Sequence, residues 1–154
     1  MSLKQRYQAV GRLFFQAHNH APSSSREIAQ WGLDEGLLKT RPVDPVARLA
    51  NEISEALSDE KGAGGYRMNL ARRAERNGQS TMLWGRVDDQ PREFVEAAVQ
   101  DWRKQIAGEC VVVAKTLQHR QEVHPEEEPI QFVFDFSDDV AEELQDPPTF
   151  DAPH

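Results

Sequence analysis

Thirty residues beginning at Ser24, "SSREIAQWGLDEGLLKTRPVDPVARLANEI", constrain the fold more than any other part of the chain, because they hold two helix starts, one helix stop and a proline-bounded link. Ser24 and Glu27 form an S-x-x-E capping box, in which each side chain satisfies the free backbone N–H of the other residue. The helix that follows, "SREIAQWGLDE", takes its inner face from Ile28, Trp31 or Gly32, and Leu33. Gly36 suits the left-handed conformation that ends a helix, and Leu37 is placed to fold back on the last turn. The residue before Pro42 is pushed out of helical geometry. Asp44 then suits an N-cap, with Pro45 at the first helical position, where its missing N–H costs nothing. In "PVARLANEISEALSDEK" one side carries Val46, Leu49, Ala50, Ile53 and Leu57, a helical stripe.

Upstream, Leu3, Tyr7, Val10, Phe14 and Ala17 recur at three- and four-residue spacing and predict a first helix, ended by Pro22 and three serines. Downstream, "GAGG" ends the third helix, and "YRMNL" alternates Tyr66, Met68 and Leu70 against Arg67 and Asn69, a half-buried strand. Three helices with a tight second-to-third connection, then a glycine loop and a strand, describe a winged helix-turn-helix head. No first wing strand is legible between Leu57 and Gly65.

The run "REIAQWGLDEGLLKT", the capped "PVARLANEI" and "GYRMNLA" together resemble the HARE-type winged helix-turn-helix domains over about residues 3–75. The layout, a head followed by an acidic extension, is similar to the delta subunit of bacterial RNA polymerase. This resemblance implies a transcription-associated role and a head that meets RNA polymerase or another protein.

Charge is distributed in a way that fits a head and an extension. Up to Arg76 there are 12 Lys/Arg against 9 Asp/Glu (+3), and from Asn77 onward 6 against 17 (−11), which together make the net −8. The second half would repel a polyanion, so the whole chain is not a nonspecific nucleic-acid binder. Within the head, Lys39, Arg41, Arg48, Asn51, Arg67, Arg72 and Arg73 are the candidate nucleic-acid or partner-binding residues. Arg and Asn suit base edges. The third helix, however, also turns Glu52, Glu55 and Asp59 outward, which favours a protein partner over double-stranded DNA.

The expected organisation is a head over 1–76, a connector over 77–90, a helical and acidic extension over 91–145 with a strand at 130–136, and a disordered tail over 146–154. In the connector, Met82, Leu83 and Trp84 either dock on the head or stand out as an anchor for a partner. Asp88 or Asp89 is expected to cap a fourth helix of about thirty residues from Pro91, with a soft point at Gly108. Phe94, Trp102, Ile106, Val113 and Leu117 line its stripe, which is longer than a small head covers. A homodimer or partner contact through this helix is the expectation. "IQFVFDF" alternates Ile130, Phe132, Phe134 and Phe136 on one face, so these aromatics either complete a core or add a strand to a partner. The fold class expected is mainly α with a small β component.

Nothing in the chain reads as catalysis. There is no G-x-x-x-x-G-K-S/T, G-x-G-x-x-G or G-x-S-x-G sequence. His18 and His20 form one pair and His119 and His124 another, far apart and short of the three or four convergent ligands a metal needs. No cofactor, metal or catalytic residue is expected. Cys110 is the only cysteine, so no disulfide forms within the chain, which suits a reducing cytoplasm. No leader and no membrane span are expected. The functional readings are therefore a non-enzymatic accessory protein whose head grips a macromolecule, a dimeric DNA-binding regulator, or a structural oligomer.

Overall fold

The computed structural model describes residues 1–42 and 44–145, so the expected disordered tail over 146–154 lies outside the described residues. The order is α1 (Leu3–Ala17), α2 (Ser25–Asp34), α3 (Pro45–Asp59), β1 (Asn69–Arg76), β2 (Gln79–Arg86), α4 (Arg92–Val123) and α5 (Ser137–Leu144). The protein is mainly α with a small β component. It divides into two compact units, Met1–Ile53 and Ser54–His154.

In the first unit α1 packs on α2. Val10 and Phe14, the centre of the predicted α1 stripe, are buried, whereas Leu3 and Tyr7 remain exposed. Phe14 meets Trp31 edge-on at 5.6 Å, and His18 stacks on Phe14 at 4.0 Å. His18 is thus a core-capping ring, and its Nδ1 lies 2.7 Å from the Phe14 carbonyl. The α2 boundaries follow the sequence signals. Ser24 Oγ accepts from the Glu27 N–H at 3.2 Å, and Glu27 Oε2 accepts from the Ser24 N–H at 3.2 Å. At the other end Gly36 has φ 71°, and the amides of Leu37 and Gly36 donate to the carbonyls of Gly32 and Leu33. That pair of bonds is a Schellman closure. Leu38, not Leu33, then covers the helix, and a Cβ on Gly32 would meet Leu38 Cδ1 at 2.6 Å. Leu33 stays 41 % exposed and lines the open groove between α1 and α2 beside Val10 and Leu38.

Asp44 caps α3 as expected, with Oδ1 accepting from the Val46 N–H at 3.1 Å. The apolar stripe of α3 has a different fate from the one expected. No residue of α3 is buried, and Val46, Leu49 and Ile53 are 72 %, 54 % and 56 % exposed.

In the second unit β1 and β2 form one antiparallel hairpin, Asn69 opposite Arg86 through Arg76 opposite Gln79. The span read as a connector over 77–90 is therefore largely strand. Asn77 and Gly78 both have positive φ, 53° and 75°, the geometry of a two-residue type I′ turn whose twist suits a hairpin. The strand expected at Tyr66–Leu70 begins at Asn69, preceded by an isolated bridge between Lys61 and Arg67. Leu70 is buried, as the alternation requires, and so is Asn69, which it places outside.

α4 runs unbroken through Gly108 and packs on β1. Neither Asp88 nor Asp89 caps it. Pro91 occupies the cap position without a side-chain bond, and Asp89 instead donates its N–H to the Arg86 carbonyl in the preceding turn. Residues 130–136 form no strand, which corrects that expectation. A period-two pattern needs a partner ladder to satisfy its backbone. Here the rings cluster with one another, Phe132 with Phe134 at 5.0 Å and with Phe136 at 6.1 Å.

Candidate macromolecular interface

The seven predicted contact residues fall in both units. In the first, the α3 helix sets Arg48, Leu49 and Glu52 on one surface, where with Arg41 and Pro45 they line a shallow depression of about 540 Å³. Arg48 Nε lies 3.2 Å from Glu52 Oε1, one helical turn on, with both side chains well exposed. Such an exposed i,i+4 pair is worth only a few tenths of a kcal/mol, yet it cancels the one cation that α3 offers. Asn51, Glu52 and Glu55 are exposed beside it. Lys39 and Arg41 sit on the link before α3, at the rim of a second, apolar groove between α1 and α2.

In the second unit Arg67 and Arg73 converge on one cavity of about 600 Å³ between the hairpin and α4, lined also by Trp84, Asp101, Trp102 and Lys104. The Arg67 guanidinium lies 4.3 Å above the Trp102 ring. This cation–π contact joins a candidate nucleic-acid or partner-binding residue to a candidate oligomer or partner interface residue. Trp84 is half-buried and lines this cavity within the hairpin's own unit, while Met82 stays 44 % exposed. The Arg73 amide donates to Asp101 Oδ2 at 2.8 Å. Arg72 opposes Leu83, one residue out of phase with Arg73 opposite Met82, so it faces the other side of the sheet. Its Nε is buried without a partner.

A polar network that sequence reasoning missed fastens the end of α3 to both strands. Asn69 Nδ2 donates to Glu60 Oε1 at 2.7 Å and to the Leu57 carbonyl at 3.2 Å, and Arg86 Nη1 donates to the same Glu60 oxygen at 3.1 Å. The Asn69 hydrogen bond, then the Arg86 charge, hold the Glu60 carboxyl below its ordinary value. Asn69 and Arg86 face each other across the hairpin, so the signal is cross-strand register.

Of the predicted α4 interface, Phe94, Val113 and Leu117 are half-buried, whereas Trp102 and Ile106 are 37 % and 50 % exposed. Phe134 and Phe136 lie over a groove formed by Val99, Trp102, Ile106 and Cys110. Two groups assigned separately to a partner thus partly cover each other within the chain. Val111 and Val112 remain exposed at 51 % and 62 %.

His124, Glu126 and Glu127 bring ligand atoms within 4.8 Å of one another. Glu127 is already bonded to Arg120 at 2.7 Å, which holds its carboxyl below the ordinary range and explains the cluster as a cap on the end of α4. No helix among the described residues is long and apolar enough to cross a membrane. Compared with known proteins, the chain matches no family model, no curated protein and no solved structure.

Proposed function

We propose that this chain is a non-enzymatic, transcription-associated accessory or regulatory protein of the winged helix-turn-helix type, acting in the cytoplasm, whose head grips a protein rather than duplex DNA. The observation that carries the reading is the outer surface of α3. Val46, Leu49 and Ile53 present an exposed apolar stripe, and the adjoining Arg48 is neutralised by Glu52. A phosphate backbone rewards unpaired cations and gains nothing from apolar side chains. A protein partner rewards the opposite, because buried apolar anchors ringed by polar groups dominate such interfaces. Three helices followed by a two-stranded hairpin, the order found here, supports the winged-helix reading. RNA polymerase is the first partner to test, on the strength of the layout resemblance.

A second reading, a DNA-binding dimeric regulator, draws on Arg41, Arg48, Arg67, Arg72 and Arg73, with α4 joining two copies through its exposed valines. Binding to purified RNA polymerase and to a mixed-sequence duplex, each compared between the wild type, Leu49→Glu and Arg48→Glu, separates the two. Loss on Leu49→Glu supports the protein reading, and loss on Arg48→Glu supports the DNA reading.

A further inference from the structure

The groove between α1 and α2 has a volume of about 780 Å³ and is lined by Tyr7, Val10, Ile28, Leu33 and Leu38. Among the described residues, the only charged groups lining it are Lys39 and Arg41. It is therefore an apolar trough with a cationic rim, the complement of an acidic amphipathic helix. The chain carries such a helix. In α5, "SDDVAEEL", Val140 and Leu144 stand one turn apart on one face and are 53 % and 79 % exposed. Asp139 and Glu143 share the same i,i+4 spacing, displaced by one residue, and so flank that apolar edge. The helix contains four acids and no cation, and among the described residues of its unit it packs against no other helix or strand.

We propose that α5 of a second copy docks in the α1–α2 groove, each chain giving its α5 to the other in a reciprocal dimer. Val140 and Leu144 enter the trough, and Asp139 and Glu143 meet Lys39 and Arg41. Residue charge across the two units points the same way. Residues 1–53 hold 7 Lys/Arg and 5 Asp/Glu, and residues 54–154 hold 11 and 21. Residues 1–53 are thus net +2 and residues 54–154 net −10, so an acidic segment such as α5 favours the first unit over the second. The α3 stripe is the poorer occupant, because the charges beside it in the first unit, Arg48 and Glu52, cancel and supply no net acid to a cationic rim. The inference uses neither α3 nor the hairpin, so it stands apart from the functional reading above.

Light scattering on the eluting full-length protein tests it. The wild type is expected to be a dimer at low salt and to dissociate as salt rises. Two charge-reversed chains are then made, one Lys39→Glu/Arg41→Glu and the other Asp139→Lys/Glu143→Lys. Each alone is expected to be monomeric, because its groove and helix now carry like charges. Mixed in equal amounts they are expected to dimerise, since both contacts become complementary. A third chain, Val140→Asp, tests the apolar anchor at an exposed position and is expected to be monomeric with an unchanged helical circular-dichroism spectrum. A monomeric wild type, or reversed chains that stay dimeric alone, would overturn the proposal. So would a failure of the mixed pair to assemble while both chains remain folded.

Discussion

Asp101, on the first half of α4, accepts the main-chain N–H of Arg73 at 2.8 Å across 28 residues of sequence. The bond closes the outer edge of β1, which would otherwise offer unpaired amides to another strand. Asp101→Ala is expected to lower stability by about 1 kcal/mol, the net worth of a typical intramolecular hydrogen bond. Asp101→Asn keeps an acceptor oxygen and is expected to lose less. Urea denaturation gives the magnitude, and faster exchange of the Arg73 amide in both variants locates it.

The hairpin depends on its turn. Gly78 holds φ 75°, a conformation that costs a residue with a Cβ about 1–2 kcal/mol. Gly78→Val is expected to destabilise the second unit by at least that amount, while Gly78→Asn, which tolerates left-handed geometry, loses less. Thermal unfolding of the two variants checks the order.

Glu60 ties the stability of the hairpin to pH. Its carboxyl is held low by the Asn69 hydrogen bond and by Arg86. A group depressed on folding contributes stability that is complete above its unfolded value and is lost as pH falls through the folded one. The contribution of Glu60 should therefore be intact at neutral pH and fade just below the ordinary carboxylate value of about 4.3. Melting temperatures of the wild type and Glu60→Gln, measured from pH 7 down to 3, are expected to converge in that window. Curves that stay parallel would contradict it.

The capping box of α2 gives a local prediction. Ser24→Ala removes the acceptor of the Glu27 amide and should cost about 1 kcal/mol. Ser24→Asp keeps an acceptor and adds charge at the helix N-terminus, so it should retain wild-type stability. Chemical denaturation monitored at Trp31, which packs on Phe14, reports the change.

The helices were legible because their signals are local. Ser24 with Glu27, Gly36, and Asp44 with Pro45 act within one turn of chain, and the structure places each cap where those residues put it. The hairpin was not read, although Asn77-Gly78 carries its turn signal, because the flanks "ARRAER" and "QST" lack apolar alternation and look like solvated linker. That strand pair is held by turn geometry, backbone bonds and the cover of α4, none of which leaves an apolar pattern. The reverse error occurred at Phe132, Phe134 and Phe136, where the alternation is clear but no strand among the described residues pairs with it, and the aromatic rings cluster with one another instead. Of the candidate interface, the residue types on α3 were readable. Their exposure was not, because whether Val46, Leu49 and Ile53 find cover depends on tertiary packing. Asp101 and the Glu60–Asn69–Arg86 network link residues distant in sequence, and no spacing rule finds such pairs.

Fluorescence anisotropy of the labelled full-length protein against purified RNA polymerase and against mixed-sequence duplex DNA tests whether the head grips protein through the α3 stripe. Both titrations are run at low and at near-physiological salt. Saturable binding to the polymerase is expected to persist as salt rises and to be lost in Leu49→Glu while Arg48→Glu retains it, with no saturable binding to the duplex. Saturable duplex binding that weakens steeply with salt and disappears in Arg48→Glu would contradict it and place α3 on DNA.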